Sequence, residues 1–202
     1  MDKIDFKKTM KTLYRATSKV ERVHPREGTF FAVDGRGTPG GEAFEKAIQN
    51  LYPVAYTVKF ALKNAGTIDF VVPPLEALWY DNPIDVPDMS KWRWRTMIRV
   101  PECVSSENLQ AAQDSILDKK GTDTSDVRLV KWEEGDSLQI LHIGPYDQDS
   151  FGAIYEELHR SAQAENMALQ APGHEIYLSD PRRTAPEKLK TIVRMPIAGE
   201  SP

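Results

Sequence analysis

The sequence is short of the residues that build disulfides and metal sites. It has one cysteine, Cys103, and 4 histidines among 202 residues, which excludes an internal disulfide framework and gives no spacing for a structural zinc site. A Gly-x-Ser-x-Gly elbow and a paired-histidine zinc motif are also missing. Cys103 has no histidine near it in sequence to promote a thiolate, which favours an inert thiol. Nucleophilic and metal chemistry therefore lack support, and no cofactor is expected.

Long hydrophobic runs are missing as well. No window approaches 18 uncharged apolar residues, and the opening stretch MDKIDFKK has no apolar run before a small-residue cleavage site. These absences predict a soluble, cytoplasmic protein with no membrane partner. The composition, with 40% hydrophobic residues, is close to that of an ordinary globular protein. The length predicts a single domain over residues 27–202, with a basic leader, residues 1–26, packed on it or preceding it.

Charge is distributed unevenly, although the net charge is only -4. Residues 1–26 carry a net charge of +5 and residues 181–194 carry +4, whereas residues 27–180 carry -12. Because neutralisation of phosphates dominates nucleic acid binding, the acidic body is a poor partner for nucleic acid. A cationic ligand suits its field better. The alternative is that both basic runs are merely solvated surface.

Apolar periodicity predicts one long helix in each half of the chain. Apolar residues recur at steps of three and four over residues 42–62, where Pro53 should kink or break the helix, and again over residues 148–165. A shorter helix is predicted over residues 105–119, with one of the two serines at 105–106 as its N-cap. The predicted strands cover residues 29–34, 68–72, 75–80, 92–100, 138–143, 174–178 and 192–197.

The two halves of the chain resemble each other internally. Three pairs of segments match in order, at 44–51 and 151–158, 76–81 and 175–180, and 98–101 and 193–196. Each half reads β-α-β-β, so the duplication predicts an α+β fold with an antiparallel sheet and helices on one face. Chance similarity is the alternative. The predicted divisions are repeat one over about 27–103, a connecting helix over about 104–122, and repeat two over about 127–198.

The segment from Gly35 to Gly40 spells Gly-x-Gly-x-x-Gly between a strand and a helix, the pattern of a dinucleotide-binding turn. Two features speak against a nucleotide site. The run of proline and glycine at 39–41 delays the helix, and the acidic residue expected about 20 residues further on is missing. The segment is therefore interpreted as a flexible rim loop.

Four segments carry a likeness to a known family. They are Asp5-Phe-Lys-Lys with Lys11-Thr-Leu-Tyr14, Phe30-Phe-Ala-Val-Asp-Gly-Arg-Gly37, Pro74-Leu-Glu-Ala-Leu-Trp79, and the long stretch from Gly173 to Arg194. Together they resemble the stand-alone GyrI-like small-molecule-binding proteins over nearly the whole chain. The resemblance implies two β-α-β-β repeats related by a pseudo-twofold, with a ligand cleft between them. No helix-turn-helix pattern is fused to this chain, which disfavours a transcription regulator.

The resemblance implies an aromatic cleft with a central glutamate, and the matching residue here is Glu175. Strand alternation puts Glu175 and Tyr177 on one face and Ile176 and Leu178 on the other. If helices cover the Ile/Leu face, Glu175 and Tyr177 face an open cleft; a solvated carboxylate is the alternative. The further candidate ligand-binding residues are the repeat mate Glu76 and the aromatic residues Trp79, Tyr80, Trp92, Trp94 and Tyr146.

Trp94 is the preferred pocket aromatic by resemblance. However, Trp92 and Trp94 share parity with apolar Ile98 and Val100, so either tryptophan could instead belong to the core. Tyr155 and Phe151 share the apolar stripe of their helix and are expected in the core.

Two functions of different classes use the same residues. In the first, the protein binds and sequesters a hydrophobic, planar or cationic small molecule by stacking on aromatic rings, with Glu175 as the counter-charge. In the second, implied by relatives that hydrolyse cyclopropane-bearing DNA-alkylating natural products, Glu175 is the base that activates water, and Tyr177 or Tyr146 donates to the oxygen that gains charge. Direct contact with a topoisomerase is a third hypothesis, by analogy alone.

Overall fold

The predicted strands and helices occur in the predicted order, together with further short elements that were not predicted. A computed structural model describes residues 3–82 and 85–199. The strands are β1 (Lys3–Ile4), β2 (Glu21–Val23), β3 (Gly28–Arg36), β4 (Asp69–Phe70), β5 (Glu76–Trp79), β6 (Arg93–Val100), β7 (Arg128–Trp132), β8 (Ser137–Ile143), β9 (Met167–Leu169), β10 (Gly173–Tyr177) and β11 (Lys190–Gly199). The helices are α1 (Phe6–Thr9), α2 (Lys11–Tyr14), α3 (Glu42–Asn64), α4 (Ser106–Lys120) and α5 (Gln148–Ala164). Antiparallel sheets combined with helices confirm the predicted α+β class.

The described residues form two compact units, each built from separate stretches of chain. Unit 1 gathers residues 3–9, 27–73 and 81–132, and unit 2 gathers residues 10–26, 74–80 and 133–199. The leader is therefore divided between the units, and β5 belongs to unit 2 although the flanking chain belongs to unit 1.

Unit 1 contains an antiparallel sheet in the order β7, β3, β6, and α3 packs against it. The helix buries Leu51, Val54 and Val58, and β3 buries Phe31, since the apolar residues of α3 recur at helical spacing. Of the two effects expected of Pro53, a break is wrong, because α3 is continuous from Glu42 to Asn64, and a kink stays a prediction. Packing of apolar residues on both sides of the proline outweighs the lost backbone hydrogen bond.

Trp94 belongs to the core of unit 1. It is buried and packs edge-on against Phe44, with the ring centroids 5.1 Å apart. Its ring also lies over Gly35, where any Cβ atom would collide with it. Close packing therefore explains the first glycine of the glycine-rich segment. The positive φ angles of Gly37 and Gly40 suit the turn that leads into α3.

Unit 2 contains a five-stranded antiparallel sheet in the order β2, β8, β11, β10, β5, with β9 pairing to the end of β11. Helix α5 packs on one face, where Leu158 and Ala162 join a core cluster with Leu138, Ile140 and Val193. The repeat segments around Glu76 and Glu175 lie in neighbouring strands, β5 and β10, which pair with each other.

No helix among the residues described is both long and apolar enough to cross a lipid bilayer.

Candidate functional site

Glu175 lies in β10, between β5 and β11 of the unit 2 sheet. It is paired with Ala77 on one side and Val193 on the other, and only 9% of its surface is exposed. In an antiparallel sheet, directly paired residues point to the same face. Glu175 therefore shares its face with Ala77 and Val193.

Tyrosine hydroxyls donate to both oxygens of the Glu175 carboxylate. The Tyr177 hydroxyl donates to Oε2 over 2.8 Å, and the Tyr155 hydroxyl donates to Oε1 over 3.4 Å. Tyr155 belongs to α5, so the helix covers the face that carries Glu175. The sequence expectation that the helix covers the opposite face, leaving Glu175 on an open face, is wrong. Alternation shows which residues share a face but does not show which face a helix will cover.

Burial is the main influence on the Glu175 carboxylate. Removal from water raises the pKa of Glu175 above its usual value, while hydrogen bonds from Tyr177, the Trp79 indole and Tyr155 act in the opposite direction. Burial beside this carboxylate also raises the pKa values of Tyr155 and Tyr177 well above the usual tyrosine value. The tyrosines therefore remain protonated donors, and Glu175 holds its proton to a higher pH than an exposed glutamate does.

An exposed aromatic ring lies beside the buried group. Tyr146 is 44% exposed, and its ring meets the Tyr177 ring edge-on at 5.7 Å. Burial raises the pKa of Tyr146, while a hydrogen bond with Thr191 opposes the rise. Phe151 lies on the other side of Tyr146, 6.2 Å between centroids. The carboxylate is thus surrounded by aromatic rings, one of which is accessible to a ligand from solvent.

The chain matches the model of the GyrI-like small molecule binding domain over residues 20–198.

The chain belongs to the GyrI-like family.

Solved structures from Listeria innocua resemble this GyrI-like chain over nearly its whole length. One, of an uncharacterized conserved protein, has 40% sequence identity and a TM-score of 0.90, covering 96% of this chain and 100% of the other. Two named as hydrolases have 39% and 40% identity and TM-scores of 0.86 and 0.88, covering 96% and 98% of this chain and 100% of theirs. The comparison with curated proteins finds no match.

The structure of this GyrI-like protein brings only some of the predicted site residues together. Glu175, Tyr177, Trp79 and Tyr146 lie in unit 2 and surround one carboxylate. Tyr80, also in unit 2, is half-buried just after β5.

Three other predicted residues lie elsewhere. Trp94 is in the core of unit 1, and Trp92, also in unit 1, donates its indole N–H to the Val86 carbonyl over 2.7 Å. Glu76 is on the opposite face of the unit 2 sheet from Glu175, because it is paired with Ile176. Contact of these three residues with a ligand stays a prediction.

Two groups of functional interest escaped the sequence reasoning. Tyr155 was expected in the core, and its position on an apolar stripe gave no sign that its hydroxyl would reach Glu175. His174 lies next to Glu175 in sequence and contacts Glu76 and Glu134 on the other face. The alternation that separates Glu175 from Ile176 also places His174 on the face of Ile176, so the sequence pattern could have predicted that His174 faces away from Glu175.

Across residues 3–82 and 85–199, no group of three or more histidine, cysteine or acidic side chains is placed to hold a metal ion. The groups that the site offers for chemistry are a buried carboxyl group, three tyrosine hydroxyls and aromatic ring faces.

Proposed function

We propose that this GyrI-like protein binds planar, hydrophobic cations at Glu175. The proposal rests on the observation that the hydrogen-bond partners of the Glu175 carboxylate are electrically neutral. Within the described residues, its hydrogen-bond donors are the neutral groups of Tyr177, Tyr155 and Trp79, and no lysine or arginine forms an ion pair with it. A buried carboxylate that is paired with no lysine or arginine favours a positively charged guest.

The rings around the carboxylate would supply the rest of the affinity. A cation that stacks on Tyr146 or Tyr177 gains about 0.5–2 kcal/mol from each cation–π contact, the larger figure applying where water is excluded. Because burial favours the protonated form of Glu175, a bound cation would drive its ionisation and release a proton. Binding of a cation should therefore weaken as the pH falls through the raised pKa of Glu175.

A matched pair of tricyclic probes tests whether the site prefers a cation. 10-Methylacridinium is a permanent cation at neutral pH, and 10-methylacridone has the same framework without the charge. Quenching of tryptophan fluorescence should saturate with the cation, and Glu175→Gln should weaken its binding by about tenfold or more, equivalent to about 1.4 kcal/mol. The neutral probe should bind wild type and Glu175→Gln alike.

The control is Glu157→Gln, which removes an exposed carboxylate from α5 and should change neither affinity. Equal affinity of wild type for the two probes, or no saturable binding of either, would count against a cation site.

A second function, hydrolysis, is favoured by a different observation: two chains about 40% identical to this one are named as hydrolases. The raised pKa of Glu175 suits a general base. We propose that Glu175 takes a proton from water while the water oxygen bonds to a carbon of an activated cyclopropane. The ring bond breaks, its electrons move to a conjugated oxygen, and Tyr177 or Tyr146 donates to that oxygen.

The two functions separate by product. Incubation with a cyclopropane-bearing alkylating agent should yield, by mass spectrometry, a compound heavier by one water if the protein is a hydrolase. Glu175→Gln should then lose turnover, whereas neutral aromatic probes should still bind. Stoichiometric binding of the agent with no product would exclude the hydrolase and leave the binding function.

A further inference from the structure

The face of β10 opposite Glu175 carries a histidine between two carboxylates. His174 is 1% exposed. Its Nε2 lies 3.0 Å from Glu76 Oε2, and its Nδ1 lies 3.0 Å from Glu134 Oε2. Since ionised carboxylate oxygens only accept hydrogen bonds, both ring nitrogens can be satisfied at once only when both carry hydrogen, as they do in an imidazolium.

The neighbouring groups are arranged for that charge. Arg194, from β11, donates from Nη1 to Glu134 Oε2 over 2.9 Å and from Nη2 to the Leu13 carbonyl over 2.8 Å. Gln139, from β8, accepts from the same guanidinium. Tyr14 of the leader donates to Glu76 Oε1 over 2.7 Å. These groups face His174 or its carboxylate partners from β5, β8, β11, the segment before β8 and the leader.

The charges of the buried set balance only with a protonated ring. Glu76 and Glu134 bring two negative charges, and Arg194 brings one positive charge. A neutral His174 would leave one buried negative charge uncompensated, which is costly where water is excluded. Burial alone would lower the pKa of His174, but the charges and hydrogen bonds of Glu134 and Glu76 raise it overall.

We propose that His174 is a positioning residue for Glu175: as an imidazolium held between Glu76 and Glu134, it fixes β10 from the opposite face of the sheet and places a positive charge behind the strand that carries Glu175. It touches no ligand, because it points to the other face of the sheet. Its effect reaches Glu175 through the shared strand and through space, and its charge acts to lower the pKa of Glu175. The importance of this effect rests on the proposed role of Glu175, but the effect itself is measurable without a ligand.

The first test uses the unmodified protein. Long-range ¹H–¹⁵N NMR spectra of the histidine rings, recorded at about pH 7.5, one unit above the ordinary histidine pKa, should show His174 with both ring nitrogens protonated. A single neutral tautomer at this pH would overturn the proposal, and the result does not depend on whether any variant folds.

The second test follows the Glu175 carboxyl carbon by ¹³C NMR, with its resonance assigned by loss in Glu175→Gln. In His174→Asn, the midpoint of Glu175 should shift to higher pH. The control is His159→Asn, because His159 is exposed on α5 and contacts Gln163 rather than a carboxylate; it should leave the midpoint in place.

An unchanged Glu175 midpoint in a folded His174→Asn protein would overturn the proposal, as would equal shifts in both variants. Failure of 10-methylacridinium to bind would count against the proposed function instead, and it would not alter either titration.

Discussion

At position 173, the lack of a side chain leaves the space that the Tyr155 hydroxyl occupies. A Cβ atom added to Gly173 would lie 3.1 Å from Met195 Sδ and 3.2 Å from the Tyr155 hydroxyl oxygen. Contacts this short force neighbouring groups to move. Because the Tyr155 hydroxyl donates to Glu175, a displaced Tyr155 changes the surroundings of the carboxylate.

Gly173→Ala should therefore lower the free energy of unfolding by about 1–3 kcal/mol and weaken binding of 10-methylacridinium. Urea denaturation and the fluorescence titration measure the two effects. Gly152→Ala is the control, since Gly152 lies in α5 with nothing within 4 Å of an added Cβ; it should stabilise by about 0.5–1 kcal/mol. Stabilisation by both substitutions would show that position 173 is not crowded.

At the same scale, strand alternation predicted correctly that Glu175 and Tyr177 share a face, as their hydrogen bond requires. Strand alternation did not predict correctly which face of the sheet α5 covers. Charged residues are rarely buried without a partner, so the Ile/Leu face was the natural choice for the helix. Tyr177 is a local donor, but the other two donors to Glu175, Trp79 and Tyr155, belong to other elements of the fold and are indicated by no local pattern.

At the scale of elements, α4 begins with reciprocal hydrogen bonds. The Ser105 side chain accepts from the Asn108 backbone N–H over 3.4 Å, and the Asn108 side chain accepts from the Ser105 backbone N–H over 3.0 Å. This capping box decides between the two serines that the sequence left open, because Ser105 is the N-cap and Ser106 is the first helical residue.

Ser105→Ala should cost about 1 kcal/mol of stability by removing an acceptor from the helix terminus. Ser106→Ala, one residue further on and exposed, should stay within about 0.5 kcal/mol of wild type. Chemical denaturation of both variants checks the difference. A larger loss of stability in Ser106→Ala than in Ser105→Ala would mean that Ser106, and not Ser105, is the N-cap.

The elements that the sequence predicted well are those with a long, consistent period. Helix α5 was expected over residues 148–165 and extends over Gln148–Ala164, and β6, expected from residue 92, begins at Arg93. Strands β2, β7 and β9 were missed, because each is defined by its pairing partner rather than by a pattern of its own.

At the scale of the whole molecule, part of the leader is built into unit 2. Gln139 donates to the carbonyls of Thr12 and Arg15, and Arg194 donates to that of Leu13. Backbone carbonyls exist at every position, so no sequence pattern indicates this contact. The charge count identified the leader as a basic segment but did not decide whether it packs on the domain. The fold shows that backbone carbonyls of the leader accept hydrogen bonds from side chains of unit 2.

Tyr14→Phe should lower the free energy of unfolding by about 1–3 kcal/mol, because it removes a buried donor and leaves Glu76 Oε1 without that hydrogen bond. Tyr56→Phe on α3 removes the hydroxyl of an exposed tyrosine and should change stability by less than about 0.5 kcal/mol. Thermal or urea unfolding compares the two. Similar effects would mean that the leader contributes little to unit 2.

The strand order of unit 2 also determines when its sheet can form during synthesis. Of the strands described, β11 is made after both of its neighbours, β8 and β10, and the early strands β2 and β5 pair with β8 and β10. At ribosomal rates of about 5–20 residues per second, β5 waits roughly 5–20 s for its partner. Throughout that interval the edge of β5 that later pairs with β10 has no partner, and an unpaired strand edge of a nascent chain promotes aggregation.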